Sequence, residues 1–203
     1  MPTPSYISIE GQTQGLITAG ACTPESIGDA YVEGHENEML VQEFDHTVIV
    51  PTDPQSGNPS GQRVHKPFQF TVSLNKAVPL LYNALASGEM LKNVELKWYR
   101  TSLAGKQENF FVTKLENATV VEIHCAMPHC QDPANEKFTQ NVTISLSYRK
   151  ITWDHLTAGT SGADDWRKLL KPSASSTLPR KGGSVVMGRR LGIVICVMMV
   201  ERC

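Results

Sequence analysis

With 203 residues, 40% of them apolar and 19% charged, the chain can bury a proper core as one domain plus an appendage, or at most as two small domains. The net charge of −1 hides an uneven split: residues 1–171 hold 14 Lys+Arg against 19 Asp+Glu, whereas residues 172–203 hold 5 against 1. A mildly acidic main part argues against nucleic-acid binding, which needs a basic stripe, and the basic tail lacks the interleaved aromatics of a single-strand binder.

The opening run from Met1 to Ile9 has neither the basic start nor the apolar core of a secretory signal, which predicts synthesis in the cytosol. Cys22, Cys125, Cys130, Cys196 and Cys203 are odd in number and irregularly spaced, so thiols fit better than a disulfide framework. Tyr6 to Ile9 alternates as a short strand ended by Gly11, and residues 15–20 continue extended. Thr23 to Gly28 reads as a turn, or as one helical turn with Pro24 at its first position.

Met39 to Asn75 organises the rest. Two strands are expected, Met39 to Val50 and Val64 to Leu74. Leu40, Gln42, Phe44, His46, Val48 and Val50 share one face of the first, and Phe68, Phe70, Val72 and Leu74 one face of the second. Between them, Pro51 to Arg63 contains three prolines and two glycines, which cannot run a ladder and predict a protruding arm. Most hairpin loops are about 2–5 residues, and longer ones are usually functional or disordered. Arg63, His65 and Lys66 crowd the arm's return, with only Asp53 near its exit, and that asymmetry suits a contact surface as well as a solvated insertion.

A helix follows over Ala77 to Ser87, with Pro79 in its first turn, Gly88 as its stop and an apolar stripe of Val78, Leu81, Tyr82 and Leu85. Lys92 to Arg100 is the clearest strand, with Val94, Leu96 and Trp98 inward. Asn109 to Leu115 and Thr119 to Cys125 are expected as two strands joined by a turn at residues 116–118. Thr139 to Tyr148 and Lys150 to His155 form the last pair, with Val142, Ile144, Leu146 and Tyr148 on one face. Many short strands with one helix predict a mainly β protein: an antiparallel barrel or sandwich with a flanking helix and a long extended loop.

From Ser161 the character changes. Residues 159–167 read as a turn leading to an anchoring Trp166, and the domain is expected to close by residue 171. Ser173 to Gly183 has linker composition, and Leu191 to Val200 is strongly apolar yet shorter than the roughly 20 residues a transmembrane helix needs. No membrane insertion is expected.

Candidate chemistry is thin. His124, Cys125, His129 and Cys130 place two His-Cys pairs close together, which zinc could use, but structural zinc sites come from paired knuckles, and a strand end with its loop is the simpler reading. Asp164 and Asp165 read as solvated charges on a turn rather than paired catalytic carboxylates. Gly57 and Gly61 lack the following helix and Lys-Ser/Thr of a phosphate loop. The sequence thus predicts no catalytic residue, metal or cofactor.

Residues 4–20, together with Gly34 to Glu36, Pro54 to Gly57, Gly61 to Pro67, Lys97 to Thr101, Tyr148 to Trp153 and Ala158 to Trp166, resemble the Hcp (haemolysin-coregulated protein) family, the tube subunit of bacterial type VI secretion systems. The matches run in order across almost all of residues 1–167. The resemblance implies a β-barrel with one flanking helix, a homohexameric ring, and rings stacked into a tube that is exported on firing. It implies sheath, spike and baseplate proteins as partners, and small effector proteins carried in the lumen. In that family the long arm packs on the neighbouring ring, which makes Asp53, Gln55, Arg63, His65 and Lys66 the ring-stacking candidates here. Residues 168–203 extend beyond where family members commonly stop. A phage-type tail-tube or baseplate subunit shares the barrel logic and is the nearer alternative. A metal or thiol protein centred on His124 to Cys130 is the remoter one.

Overall fold

The computed structural model describes residues 3–135 and 139–168. The expected closure at residue 171, the linker and the apolar run 191–200 lie outside the described residues. The elements are β1 (Ser5–Gly11), β2 (Gly15–Leu16), α1 (Pro24–Ile27), β3 (Met39–Asp45), β4 (Val48–Ile49), β5 (Val64–His65), β6 (Phe68–Ser73), α2 (Val78–Ser87), β7 (Met90–Thr101), β8 (Gln107–Ala126), β9 (Asn141–Ser147), β10 (Lys150–His155) and β11 (Thr160–Asp165).

The sheet closes on itself. β8, β7, β1, β3, β6 and β9 are neighbours in that order, and β9 pairs back onto β8, so the ring of strands has no free edge. Closure depends on the length of β8. This 20-residue strand pairs β7 from Gln107 to Thr119 and β9 from Thr119 to Ala126. It bends between the two tasks, where Asn117 adopts φ 52° and a bulge falls between Val120 and Glu122. The turn expected at residues 116–118 is therefore a bend within one strand. β10 pairs the first half of β8, and β11 pairs β10. β11 was expected as a turn; its run of small and acidic residues carries no apolar alternation, but it pairs antiparallel with β10 from Thr160 to Asp165.

Alternating side chains fill the interior, with Ile7, Ile9, Phe68, Phe70, Leu96 and Leu146 fully buried. Val142, Ile144, Leu146 and Tyr148 are buried as one face, as their spacing predicts. β3 departs from its pattern. Met39 and Val41 are buried, then a bulge between Val41 and Glu43 shifts the register and brings Phe44 against the core instead. Leu74, expected inward, lies past the end of β6 and is exposed.

α2 covers the core with Val78, Leu81 and Ala84, and Leu85 packs beside them. Tyr82 was expected in that stripe, but it is exposed and the smaller Ala84 takes the contact. Asn75 Oδ1 accepts the Ala77 N–H at 2.9 Å before the helix, and Gly88 ends it in the left-handed region at φ 65°.

Candidate functional site

The arm leaves the ring between β3 and β6. Each of the two long strands read from the sequence is broken, at His46–Thr47 and at Lys66–Pro67. The pieces beyond the breaks, β4 and β5, pair as a separate two-stranded stem, Val48 opposite His65 and Ile49 opposite Val64. Pro67 supplies no N–H at the second break, and Lys66 N–H closes the hinge on Thr47 O at 2.9 Å. Past the stem, Thr52 bridges Pro59 and Ser60 N–H donates to Pro51 O at 2.8 Å. At the tip, Asp53 accepts the Ser56 hydroxyl at 2.7 Å and the Gln55 N–H at 3.1 Å, and Gly57 turns the chain at φ 70°. The Ser56 hydroxyl first, and then the Gln55 N–H, hold the Asp53 carboxyl below its ordinary range. The arm is a hydrogen-bonded hairpin.

Its stem carries exposed apolar side chains on both faces, with Ile49 beside Val64 on one and Val48 on the face of His65. Val48, Ile49, Val50 and Val64 are 41–49% exposed. Four neighbouring β-branched side chains on a narrow projection cannot bury themselves and suit a covering surface.

The arm's root is polar and packed. Arg63 reaches Asp164 through both Nε and Nη2, a two-pronged ion pair, and Nη2 also donates to the carbonyls of Asp165 at 2.8 Å and Lys168 at 3.2 Å. His65 is 5% exposed, with Nε2 2.7 Å from Asp164 Oδ2 and Nδ1 2.7 Å from the Tyr148 hydroxyl. His46 Nε2 lies 2.7 Å from the same hydroxyl, and the half-exposed Trp166 covers His65 with ring centroids 5.3 Å apart. Burial opposes ionisation of Asp164, but the bonds from Arg63 and His65 outweigh it and hold the carboxyl below its usual range. Burial, with the Asp164 charge, pushes the Tyr148 phenol well above its ordinary range. Burial first, then the charge of His65, moves the His46 imidazole down.

Of the five stacking candidates, Asp53 and Gln55 stand at the tip and Lys66 is exposed at the hinge. Arg63 and His65 do not join them on an outward surface. They are turned into their own domain, where Asp164 engages both. Sequence reading treated Asp164 as a solvated charge; its side chain is 15% exposed and it is the pivot of the root. His46, Tyr148 and Trp166 belong to the same cluster and were not singled out for it. The partners lie about a hundred positions apart, so no local spacing connects them; only the basic cluster of residues 63–66 against two adjacent acids offered a signal.

His124 and Cys125 are exposed at the end of β8, and His129 and Cys130 are exposed in the loop after it. Among the described residues, no three His, Cys, Asp or Glu side chains gather as a metal-ligand set. Also among the described residues, no helix is long and apolar enough to cross a membrane.

A closed antiparallel ring of strands with a covering helix and a clamped, projecting apolar arm defines a mainly β, barrel-like class of protein. Residues 6–155 match the family model described as type VI secretion system effector, Hcp. The major exported protein of Pseudomonas aeruginosa is 57% identical over 167 residues, covering 82% of this chain and 97% of that protein. A crystallised Hcp protein superposes with a TM-score of 0.79 at 56% identity, covering 82% of this chain and 99% of the other. A secreted Hcp protein of Pseudomonas aeruginosa superposes at 0.70 with 48% identity, covering 82% and 100%. The chain belongs to the Hcp family of type VI secretion, and it is a tube subunit, not an enzyme.

Proposed function

We propose that this chain assembles into homohexameric rings that stack through the arm into a tube, meets the type VI sheath, spike and baseplate, and carries small effector proteins in its lumen. It waits in the cytosol and leaves by type VI firing. The observation that carries the stacking role is the exposure of Val48, Ile49, Val50 and Val64 on a stem fixed at its root by Arg63 and Asp164. An ordered hairpin with a fixed base loses little conformational freedom when it docks. Contact with a neighbouring ring falls to these apolar side chains, with Lys66, Asp53 and Gln55 supplying polarity around them.

The test contrasts surface with root. Ile49→Asp combined with Lys66→Glu should leave single rings intact in electron micrographs and abolish tubes, since unpaired charge at an apolar interface costs several kcal/mol. Arg63→Glu should loosen the arm within each subunit and lower the melting temperature as well. Tubes of normal length from the Ile49/Lys66 double variant would remove the arm from the interface.

A further inference from the structure

The root holds a hydrogen-bonded chain that the assembly reading does not use: His46 Nε2, Tyr148 Oη, His65 Nδ1, His65 Nε2 and Asp164 Oδ2, with 2.7 Å at each of its three links. Four separate segments supply it. His46 follows β3, His65 ends β5, and Asp164 lies in β11, while Tyr148 sits between β9 and β10. We propose that this chain is an acid-sensitive latch on the arm, closed while the two imidazoles carry at most one extra proton between them and opened by a second.

The donors and acceptors of the chain limit how many protons it can hold. With both imidazoles neutral, His46 Nε2–H donates to the Tyr148 oxygen, the Tyr148 hydroxyl donates to His65 Nδ1, and His65 Nε2–H donates to the ionised Asp164. Every link is satisfied. An extra proton on His46 leaves that pattern unchanged, because His46 is already the donor. An extra proton on His65 reverses it: Nδ1–H donates to the Tyr148 oxygen, and the hydroxyl hydrogen turns to an unprotonated His46 Nε2. One extra proton therefore fits on either ring.

Two do not. His46 Nε2–H and His65 Nδ1–H would both point at one phenol oxygen whose own hydrogen has no acceptor left in the chain. Two imidazolium charges would also lie with their ring centroids 6.3 Å apart in a packed site. The phenol cannot relieve the conflict by ionising, since its burial favours the neutral form. The other charges do not relieve it either. Asp164 already faces Arg63 and His65; Arg63 adds positive charge; Asp165 faces Arg63 and Arg149, 4.0 Å from the Arg149 Nε; and Asp45, next to His46, favours its charged form less than burial and His65 oppose it. Lys66 sits beside His65 as a further positive group.

The ladder of the arm's stem is only two residue pairs long, so beyond the Lys66–Thr47 backbone bond its attachment to the domain rests on these side chains and the Arg63 clamp. Once His65 is charged, burial and that charge hold protonation of His46 down in the latched state relative to the open one. Latch stability is then complete above the open-state value of about 6.5 and falls as the pH drops through the lower, latched value. The latch rests on contacts within one chain. Its consequence, that stacked rings separate in mild acid, rests on the assembly proposed above.

The test is hydrogen exchange of peptides covering residues 48–65 in the full chain, at a concentration where rings do not stack, with rates normalised for the chemical effect of pH. Between pH 7 and pH 5 the arm of the native protein should exchange about tenfold faster. Peptides from β7 and β8 should not change. His46→Gln keeps an amide that can donate to or accept from Tyr148 but cannot take a proton, so its arm should exchange alike at both values. If that variant loses protection in β7 and β8, titration of the native imidazoles by C2-hydrogen exchange replaces it, and His46 should then titrate below a free histidine. Arm exchange independent of pH in the native protein, the same rise in a folded His46→Gln variant, or a His46 that titrates like free histidine overturns the latch. None of these readouts involves tubes, so failure of ring stacking would leave them untouched.

Discussion

Glu89 shows how one residue can hold three segments together. It directly follows the glycine that ends α2, and its Oε1 accepts the N–H groups of Thr13 at 2.7 Å and Gln14 at 2.9 Å, while Oε2 accepts the Gln14 side-chain amide at 2.8 Å. The Gln14 N–H is foremost among the causes that lower its carboxyl from the ordinary range, and it outweighs the opposing effect of burial. Gly11 is part of the same device, because a Cβ there would collide with Glu89 Oε1. Bonds to a charged acceptor are worth more than neutral ones, so Glu89→Gln should cost about 1–2 kcal/mol at pH 7. On a chain of this size that is a fall in melting temperature of about 2–8 °C. Because the folded-state value is depressed, the contribution is present above the ordinary glutamate value and is lost as pH falls through the folded one. Calorimetry should therefore find the gap between native and Glu89→Gln proteins shrinking as pH is lowered from about 4.5 toward 3. A gap independent of pH would mean that the packing of Glu89, rather than its charge, stabilises the fold.

At the scale of elements, β8 decides whether the ring closes, and Asn117 decides how β8 bends. Asparagine tolerates the left-handed region, glycine occupies it without steric cost, and a β-branched residue is strained there. Asn117→Gly should hold the urea midpoint close to native, whereas Asn117→Val should lower stability by about 1–3 kcal/mol with little change in the denaturant slope. Equal loss in both variants would place the effect in the Asn117 side chain instead of its backbone. The same residue marks where legibility ended. Glu116, Asn117 and Ala118 carry turn chemistry and give no sign whether the strand reverses or only bends; tertiary pairing to β9 settles that. β7, β9 and α2 were legible because their apolar periods are uninterrupted and α2 has both a proline start and a glycine stop. β3 was not, since a bulge shifts which residues face inward and leaves no residue-type signature. The arm was legible as a projection from its prolines. Its root was not, because the pairing of Arg63 with Asp164 exists only once β11 has joined the sheet.

For the whole molecule, the sheet becomes self-sufficient once β9 pairs with β8, and the packing of β10 and β11 is complete at Asp165. What remains outward bears on the ring. Tyr99, next to the inward Trp98, does not wait for a neighbour: Tyr6 and His35 cover it, with ring centroids 5.5 and 5.2 Å away. Phe110 and Phe111 are only half-buried beside His155, under an Arg100 whose guanidinium carbon lies 5.0 Å from the Phe110 ring centre. Leu156, whose N–H donates to Phe110 O, is 54% exposed. Aromatic and arginine side chains with an adjacent exposed leucine have the composition of an interface core. Sedimentation of the full chain at micromolar concentration should give a hexamer, and Leu156→Glu should shift it toward monomer with little loss of melting temperature, since that side chain supports no core contact. A chain ended after Lys171 should behave like the full one in both respects, with its melting temperature within about 2–4 °C, because every strand that closes the ring precedes the cut. A stable monomer of the full chain across several salt concentrations would refute the ring. Unfolding of the shortened chain would show that residues 172–203 take part in the core.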